Sequence, residues 1–287
     1  MLLTGLLAGC LALAGAAPAL GWGEIKGKAG KEVFKKFANC PIHSGEYCIY
    51  GETLSGEFKI GNKTTTIENP IILQGGIASL GTASELDQTL IPPLYGAEEA
   101  SKSPQEIPGG LTGLGETGGP VFATSELAGT VIVAPGELFG TEPAVTLPIK
   151  IHLENEQLGE HCYIGSNENP VVLHLTDART SPPEGTEPIE GKRGNIVGII
   201  KGRGLELEGN TLVDNTFSVP AATGCGTSPL NEAAVTAAVN ANAGLPAAAG
   251  KNVAILNGNQ FNAHSNWVAK YDKKEIKAKE KAAEAGK

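Results

Sequence analysis

The chain has 287 residues, a formal net charge of −9, Gly 39, Pro 18 and only 5% aromatic residues. That much Gly and Pro breaks helices and multiplies turns, which argues against a helical bundle and suits many short strands. The charge is uneven: Glu24 to Phe37 holds five Lys and two Glu, and Lys270 to Lys287 holds seven Lys against four acids. The acidic remainder excludes sequence-independent nucleic-acid binding, which needs a basic face.

Residues 1–19 are apolar and uncharged and end in Ala17-Pro18-Ala19, the pattern of a secretory signal peptide, although without a basic n-region. Leu7-Ala8-Gly9-Cys10 also fits a lipobox, so the alternative is a lipoprotein anchored through Cys10. The residues after Cys10 stay apolar, where a lipoprotein tether is normally polar. Past Leu20 no run of 18 apolar residues follows, and no transmembrane helix is expected. Residues 20–38 form a basic segment with a short amphipathic helix expected over Lys31 to Ala38. Val33, Phe34 and Phe37 lie on one side of it, and Lys31, Lys35 and Lys36 on the other. Packing on a sheet is the expectation for this helix, and a membrane surface the alternative.

Residues 39–268 read as a duplicated all-β domain. GEYCIYG at Gly45 to Gly51 recurs as GEHCYIG at Gly159 to Gly165, and ENPIIL at Glu68 to Leu73 recurs as ENPVVL at Glu168 to Leu173. The repeat cores are thus about 45–73 and 159–173. Cys48 precedes Pro70 by 22 residues and Cys162 precedes Pro170 by 8. The first copy therefore carries an insertion, SGEFKIGNKTTTI, which reads as a hairpin turning at Gly61-Asn62. GLELEGN at Gly204 to Asn210 echoes it and places Gly209-Asn210 where a second hairpin would turn. Val145 to Glu154 alternates apolar and polar residues over five periods, the strongest strand signal in the chain. Pro148 lacks an N–H and predicts an edge strand or a bulge there. Thr130 to Ala134 is a continuous apolar run suited to a central strand. Residues 75–120 show weak periodicity and read as a long flexible loop suited to a partner surface. Within it, Gly113-x-Gly115-x-x-Gly118 has dinucleotide-binding spacing but opens no helix. One body helix is expected near 229–240, capped by Ser228, begun at Pro229 and stopped by Gly244 and Pro246. A last strand is expected around Val253 to Leu256, and residues 269–287 as a frayed, solvated Lys-rich helix, with contact to an anionic polymer or lipid the alternative. Alternation with hairpin turns predicts a mainly β, antiparallel β-sandwich-like fold built from the duplicated unit, with a short N-terminal helix.

Apart from Cys10, four cysteines remain, an even number in a chain expected to be exported. Cys40–Cys48 with Cys162–Cys225 is the favoured pairing, and a Cys48–Cys162 bond between equivalent positions is the alternative. No C-x2-C pair suggests zinc. There is no G-x-S-x-G elbow, no H-E-x-x-H helix and no EF-hand loop. Lys150, His152 and Glu154 share one strand face as an acid–base row, which a solvated outer face explains equally. Glu68-Asn69, Glu168-Asn169 and Asp214-Asn215 offer hard oxygen donors and are candidate calcium ligands; Asn before Pro also caps a turn by itself. No other cofactor is suggested.

FANCP at Phe37 to Pro41, the CIYGETLSGEF stretch from Cys48, ENPIILQGG and GLPAAAGKNVAILNGN together resemble a family of exported actinobacterial proteins. The resemblance spans nearly the whole chain after the signal segment. It implies export and a bacterial origin and brings no active site with it. The expected role is a secreted or cell-envelope structural or binding protein without catalytic activity, its partner a cell-surface polymer or protein. The alternatives are an envelope β-barrel or pore, and an extracellular hydrolase using loop acids such as Glu85 or Asp87.

Overall fold

The computed structural model describes residues 23–78, 88–110 and 119–285. The expected signal segment with Cys10, the Gly113–Gly118 spacing, Glu85 and Asp87 lie outside the described residues. Among the described residues fifteen strands follow one another, with four α-helices. The first eight are β1 (Gly23–Ile25), β2 (Tyr47–Ile60), β3 (Lys63–Thr66), β4 (Ile71–Ile77), β5 (Gln88–Thr89), β6 (Gln105–Glu106), β7 (Phe122–Leu127) and β8 (Ile132–Val133). The rest are β9 (Val145–Glu154), β10 (Tyr163–Ile164), β11 (Val171–Leu175), β12 (Asn195–Ile199), β13 (Gly204–Asp214), β14 (Ala222–Thr223) and β15 (Val253–His264). The α-helices are α1 (Gly27–Phe34), α2 (Glu232–Ala243), α3 (Ser265–Tyr271) and α4 (Lys273–Ala285).

The strands make two sheets. The first runs β1-β12-β13-β15-β2-β3, with β4 also on β2; the second runs β14-β10-β9-β7-β6, with β8 and β11 on β9 and β5 on β8. Every strand pair is antiparallel except β1 with β12. Neither sheet closes into a barrel, and the expected mainly β, sandwich-like antiparallel fold is what the chain forms.

The long strand β2 shows how sequence builds the sandwich. Its register against β15 slips at Leu54, which has no partner and is half exposed. Before this bulge, Tyr47 and Ile49 join the core containing Ile77, Leu90, Val131 and Val133, whereas Cys48 and Tyr50 face the helices. Beyond it the side-chain alternation inverts, so Phe58 and Ile60 join the core of Ile149, Ile151, Leu153 and Val171 from the second sheet. One extra residue thus keeps apolar side chains on the inner face along the whole strand. Gly258 makes the bulge possible, since a Cβ there would sit 1.8 Å from the Glu52 carbonyl oxygen.

Several local expectations are corrected. Gly61-Asn62 does turn the β2–β3 hairpin, with Gly61 at φ 55°. Gly209-Asn210 does not turn: it lies inside β13, where the ladder to β15 shifts between Leu207 and Asn210. Gly209 takes a left-handed conformation there, and its N–H donates to Asn259 Oδ1 at 2.9 Å, so a side chain replaces the missing ladder partner. Pro148 does not mark an edge, because β9 is paired on both sides. The N and O of a strand residue point to the same edge, and Pro148 O accepts from Ala128 N at 3.0 Å. The missing N–H therefore points into the gap between β7 and β8, where no ladder bond is lost. Helix α2 starts at Glu232 rather than Pro229, because Asn231 Oδ1 accepts from Ser228 N and folds the intervening residues into a turn. That turn leaves Leu230 fully in solvent. Its end is as expected, at Gly244 with φ 68°.

The last strand extends past Leu256 to His264, since Asn257 and Asn259 bond across to Thr211 and Glu52 instead of turning. The stretch from 75 to 120 is not simply a loop. It contains β5 and β6, and Gln74 N and Ser101 N make backbone bonds that lay residues 98–101 along the edge of β4. The Thr130 to Ala134 run shrinks to the two-residue β8, held between β5 and β9. The N-terminal helix begins four residues earlier than expected and ends in a 3-10 turn over Lys35–Phe37. The Lys-rich tail is a docked helix whose Ile276 is buried.

The two repeat copies each place a cysteine in a disulfide and follow ENP with a strand, but their pairing differs. β4 pairs directly with the strand carrying Cys48, whereas β10 and β11 both lie along β9.

Candidate functional site

The two basic segments, more than 230 residues apart in sequence, fold onto one pole. The apolar side of α1 supplies Phe34, fully buried, with its ring 6.0 Å from Phe37 and 4.8 Å from Tyr271. His264 Nδ1 accepts from Asn266 N and so caps α3, which brings Val268 and Tyr271 under α1. Ile276 of α4 completes this cluster with Cys40, Cys48 and Phe261. With the apolar sides inward, lysines point out: Lys26, Lys28, Lys31 and Lys35 before β2, and Lys270, Lys273, Lys274, Lys277 and Lys281 after β15, are all exposed. Glu24 to Phe37 carries +3 and Lys270 to Ala285 carries +2, so the other residues hold −14 of the overall −9. Net positive charge thus gathers at one pole of a chain that is otherwise acidic. Asp272, between α3 and α4, is pushed up to about 6 by burial and by Glu275, against the opposing pull of Lys279 and Lys35.

A groove of about 380 Å³ opens where this pole meets β2, β4 and residues 98–101. Lys36 Nζ lies 2.5 Å from Glu52 Oε2 and sits 5.0 Å over the Tyr50 ring and 4.8 Å over Phe261. Cation and ring faces attract, so Lys36 is held in place. Lys279 donates to Asn39 Oδ1, Asn39 Nδ2 donates to Gln74 Oε1 at 3.1 Å, and Gln74 Nε2 donates to the Glu98 carbonyl at 3.0 Å. Lys35 pairs with Glu32 at 2.7 Å, which raises the Lys35 ammonium's pKa and lowers that of the Glu32 carboxyl. Nearby, burial raises the Glu206 carboxyl, with Glu208 and Glu52 adding to the shift and Lys36 opposing it. The groove thus combines three lysines, two side-chain amides, a tyrosine ring and the rim carboxylates Glu98 and Glu275. No short window of the sequence signalled this groove, because its walls come from five separate stretches of chain.

The acid–base row lies on the outer face of the second sheet. His152 stacks on Tyr163 with centroids 4.5 Å apart, and its Nδ1 is 3.7 Å from Glu154 Oε1. Glu154 Oε1 also accepts from Thr124 Oγ1 at 2.6 Å, and Lys150 pairs with Glu126 at 3.8 Å while sitting over Tyr163. Each member of the row has its own protein partner, the arrangement of a surface network. A second, small recess of about 50 Å³ between the sheets is mostly apolar, lined by Phe58, Ile60, Ile107, Ile149 and Ala243 among others.

The three candidate calcium pairs each lie within hydrogen bonds of the protein. Gln105 Oε1 accepts from Glu68 N at 2.8 Å and Asn69 N at 3.0 Å, and Asn69 Nδ2 donates to the Pro104 carbonyl. Ser166 Oγ accepts from Glu168 N at 3.2 Å and Asn169 N at 3.1 Å, and donates to Glu168 Oε2, whose carboxyl is held low by that bond. Asp214, fully buried, accepts from His174 N through Oδ2 and from Thr216 through Oδ1. Asn215 Oδ1 accepts from Thr180 Oγ1, and its Nδ2 donates to the Glu187 carbonyl. Among the described residues no three His, Cys, Asp or Glu side chains gather as a metal site. The favoured cysteine pairing is the one formed, Cys40–Cys48 and Cys162–Cys225. Two disulfides point to an oxidising compartment. Among the described residues no helix is long and apolar enough to cross a membrane.

Compared with models of known families, with curated proteins and with solved structures, the chain matches none.

Proposed function

We propose that this is an exported, non-catalytic binding protein of the cell envelope or exterior that engages an anionic surface through its basic pole. The observation that carries the reading is the convergence of both basic segments on one pole of a molecule that is otherwise acidic. Such a distribution draws the pole toward negative charge and turns the acidic body away. Two disulfides support an extracellular setting, where a scaffold keeps its shape without cytoplasmic maintenance. The side chains of the acid–base row are engaged with one another and with Thr124, Glu126 and Tyr163, which supports binding rather than turnover.

The test is fractionation of a host that expresses the full chain. The expected result is protein held on the washed envelope at low salt and released at high salt, as screening of charge contacts requires. Protein that stays in the medium and does not rebind to washed envelope at low salt would overturn the reading.

A further inference from the structure

We infer that the groove on the basic pole takes an anionic sugar unit of a carboxylated polysaccharide. This inference rests on the binding role proposed above and names the ligand class for its site.

Charge comes first. An anionic chain is attracted to the pole and meets a net negative charge over the remaining residues, so the pole and its groove are the favoured place for it. Lys35, Lys36 and Lys279 each use a hydrogen on a protein partner, and an ammonium has three. Each therefore keeps donors for a ligand carboxylate, and the protein partners hold the heads in position beforehand.

Shape decides between a polymer and a bilayer. A recess of about 380 Å³ falls in the size range of small-ligand sites and admits part of a chain. A plane of lipid headgroups would meet only the outer helix surfaces. Of the apolar residues that could anchor those helices in lipid, Phe34, Phe37, Val268 and Ile276 are buried beneath them, and Val33, Trp267 and Tyr271 are packed against the same cluster and partly covered.

Chemistry decides between a sugar and a bare phosphate chain. Glu98 and Glu275 at the rim repel any anionic chain, but a sugar offsets this with hydroxyls from which they accept, and a polyphosphate has none to offer. The Asn39 and Gln74 amides are linked to each other and present both donors and acceptors beside the Tyr50 ring. Cation, carboxylate, amide and ring together match a hydroxylated ring that bears a negative group.

Titration calorimetry on the full chain tests this, with polygalacturonate as the probe. Dextran is the uncharged control, polyphosphate the phosphate control, and vesicles of equal parts phosphatidylglycerol and phosphatidylcholine the lipid control. Polygalacturonate is expected to bind, more weakly as salt rises, and dextran not to bind. Replacing the groove pair, Lys35→Gln with Lys279→Gln, should weaken binding about tenfold. Replacing Lys28→Gln with Lys31→Gln removes the same charge from α1 outside the groove and should weaken it less than about threefold. Unchanged melting curves show that both doubles fold. Equal losses from the two doubles would overturn the groove as the site. Tighter binding to polyphosphate or to the vesicles would overturn the sugar and leave the binding role standing. If no probe binds while envelope retention persists, the inference falls alone; if retention is also absent, both fall.

Discussion

At Glu68-Asn69-Pro70 and at Glu168-Asn169-Pro170 the same tripeptide turns the chain into a strand, β4 in one case and β11 in the other. Both turns present two backbone N–H groups to a single oxygen and return a carbonyl, that of Asn69 or Asn169, to a donor on the same residue. In the second copy that residue is Ser166, two and three positions before the N–H groups it serves. In the first it is Gln105, more than 35 positions later and almost fully buried. The difference follows from the insertion. Pro170 follows Cys162 by only 8 positions and Ser166 stays in the turn, free to serve it, whereas its counterpart Thr66 is drawn into β3 and paired with Glu57. One copy completes its turn locally, and the other waits for a distant segment to dock.

This contrast should be measurable in stability, first at the cysteines of the two copies. Removing Cys162 and Cys225 together frees a separation of 63 residues and should cost about 4 kcal/mol. Removing Cys40 and Cys48 frees a separation of 8 and should cost about 2.5 kcal/mol. Urea denaturation of the two double alanine variants checks the order, and equal losses would show that loop length is not what separates the copies. Next come the acceptors themselves. Gln105→Ala leaves two part-buried N–H groups without their partner and should cost about 2–3 kcal/mol. Ser166→Ala opens an exposed turn that water can serve, and about 0.5–1 kcal/mol is expected. A loss at Ser166 as large as that at Gln105 would break the local-versus-distant distinction. The smallest contrast concerns the glycines that close the two Cys motifs. Gly165 sits at φ 77°, where Gly165→Ala should cost about 1–2 kcal/mol. Gly51 lies within β2, and a Cβ there meets only the end of the Gln260 side chain, which can swing aside. Gly51→Ala should stay under about 1 kcal/mol, read from paired thermal melts.

What could be read in the sequence was whatever a short window decides. Alternation from Val145 to Glu154 gave β9, and Gly61-Asn62 gave a hairpin, because φ and side-chain period are local properties. The same dipeptide at Gly209-Asn210 misled for a reason outside any window: β13 lies between β12 and β15, and continued pairing on both sides outweighed the turn. Pro148 was read in part: it marks an irregularity in the pairing and not an edge, and the gap between β7 and β8 that accommodates it is made by a different part of the chain. The start of α2 was lost to one side-chain bond, Asn231 to Ser228. The charge of each basic segment was plain from composition, but their meeting was not. It depends on Phe34, Tyr271 and Ile276 sharing one cluster, a contact between residues about 240 apart in the chain.

The first and last described helices end side by side, with Lys279 bonded to Asn39 and Phe34 against Tyr271, while α2 lies beside the far end of β2 at Gly61-Asn62. A tether joined at either terminus would hold the molecule in the same attitude, helices toward the anchor and the α2 end displayed outward. Tension applied between Gly23 and Ala285 would load α4 at one end and the lone parallel pair β1–β12 at the other, so the cap and one sheet edge would peel before the interior ladders.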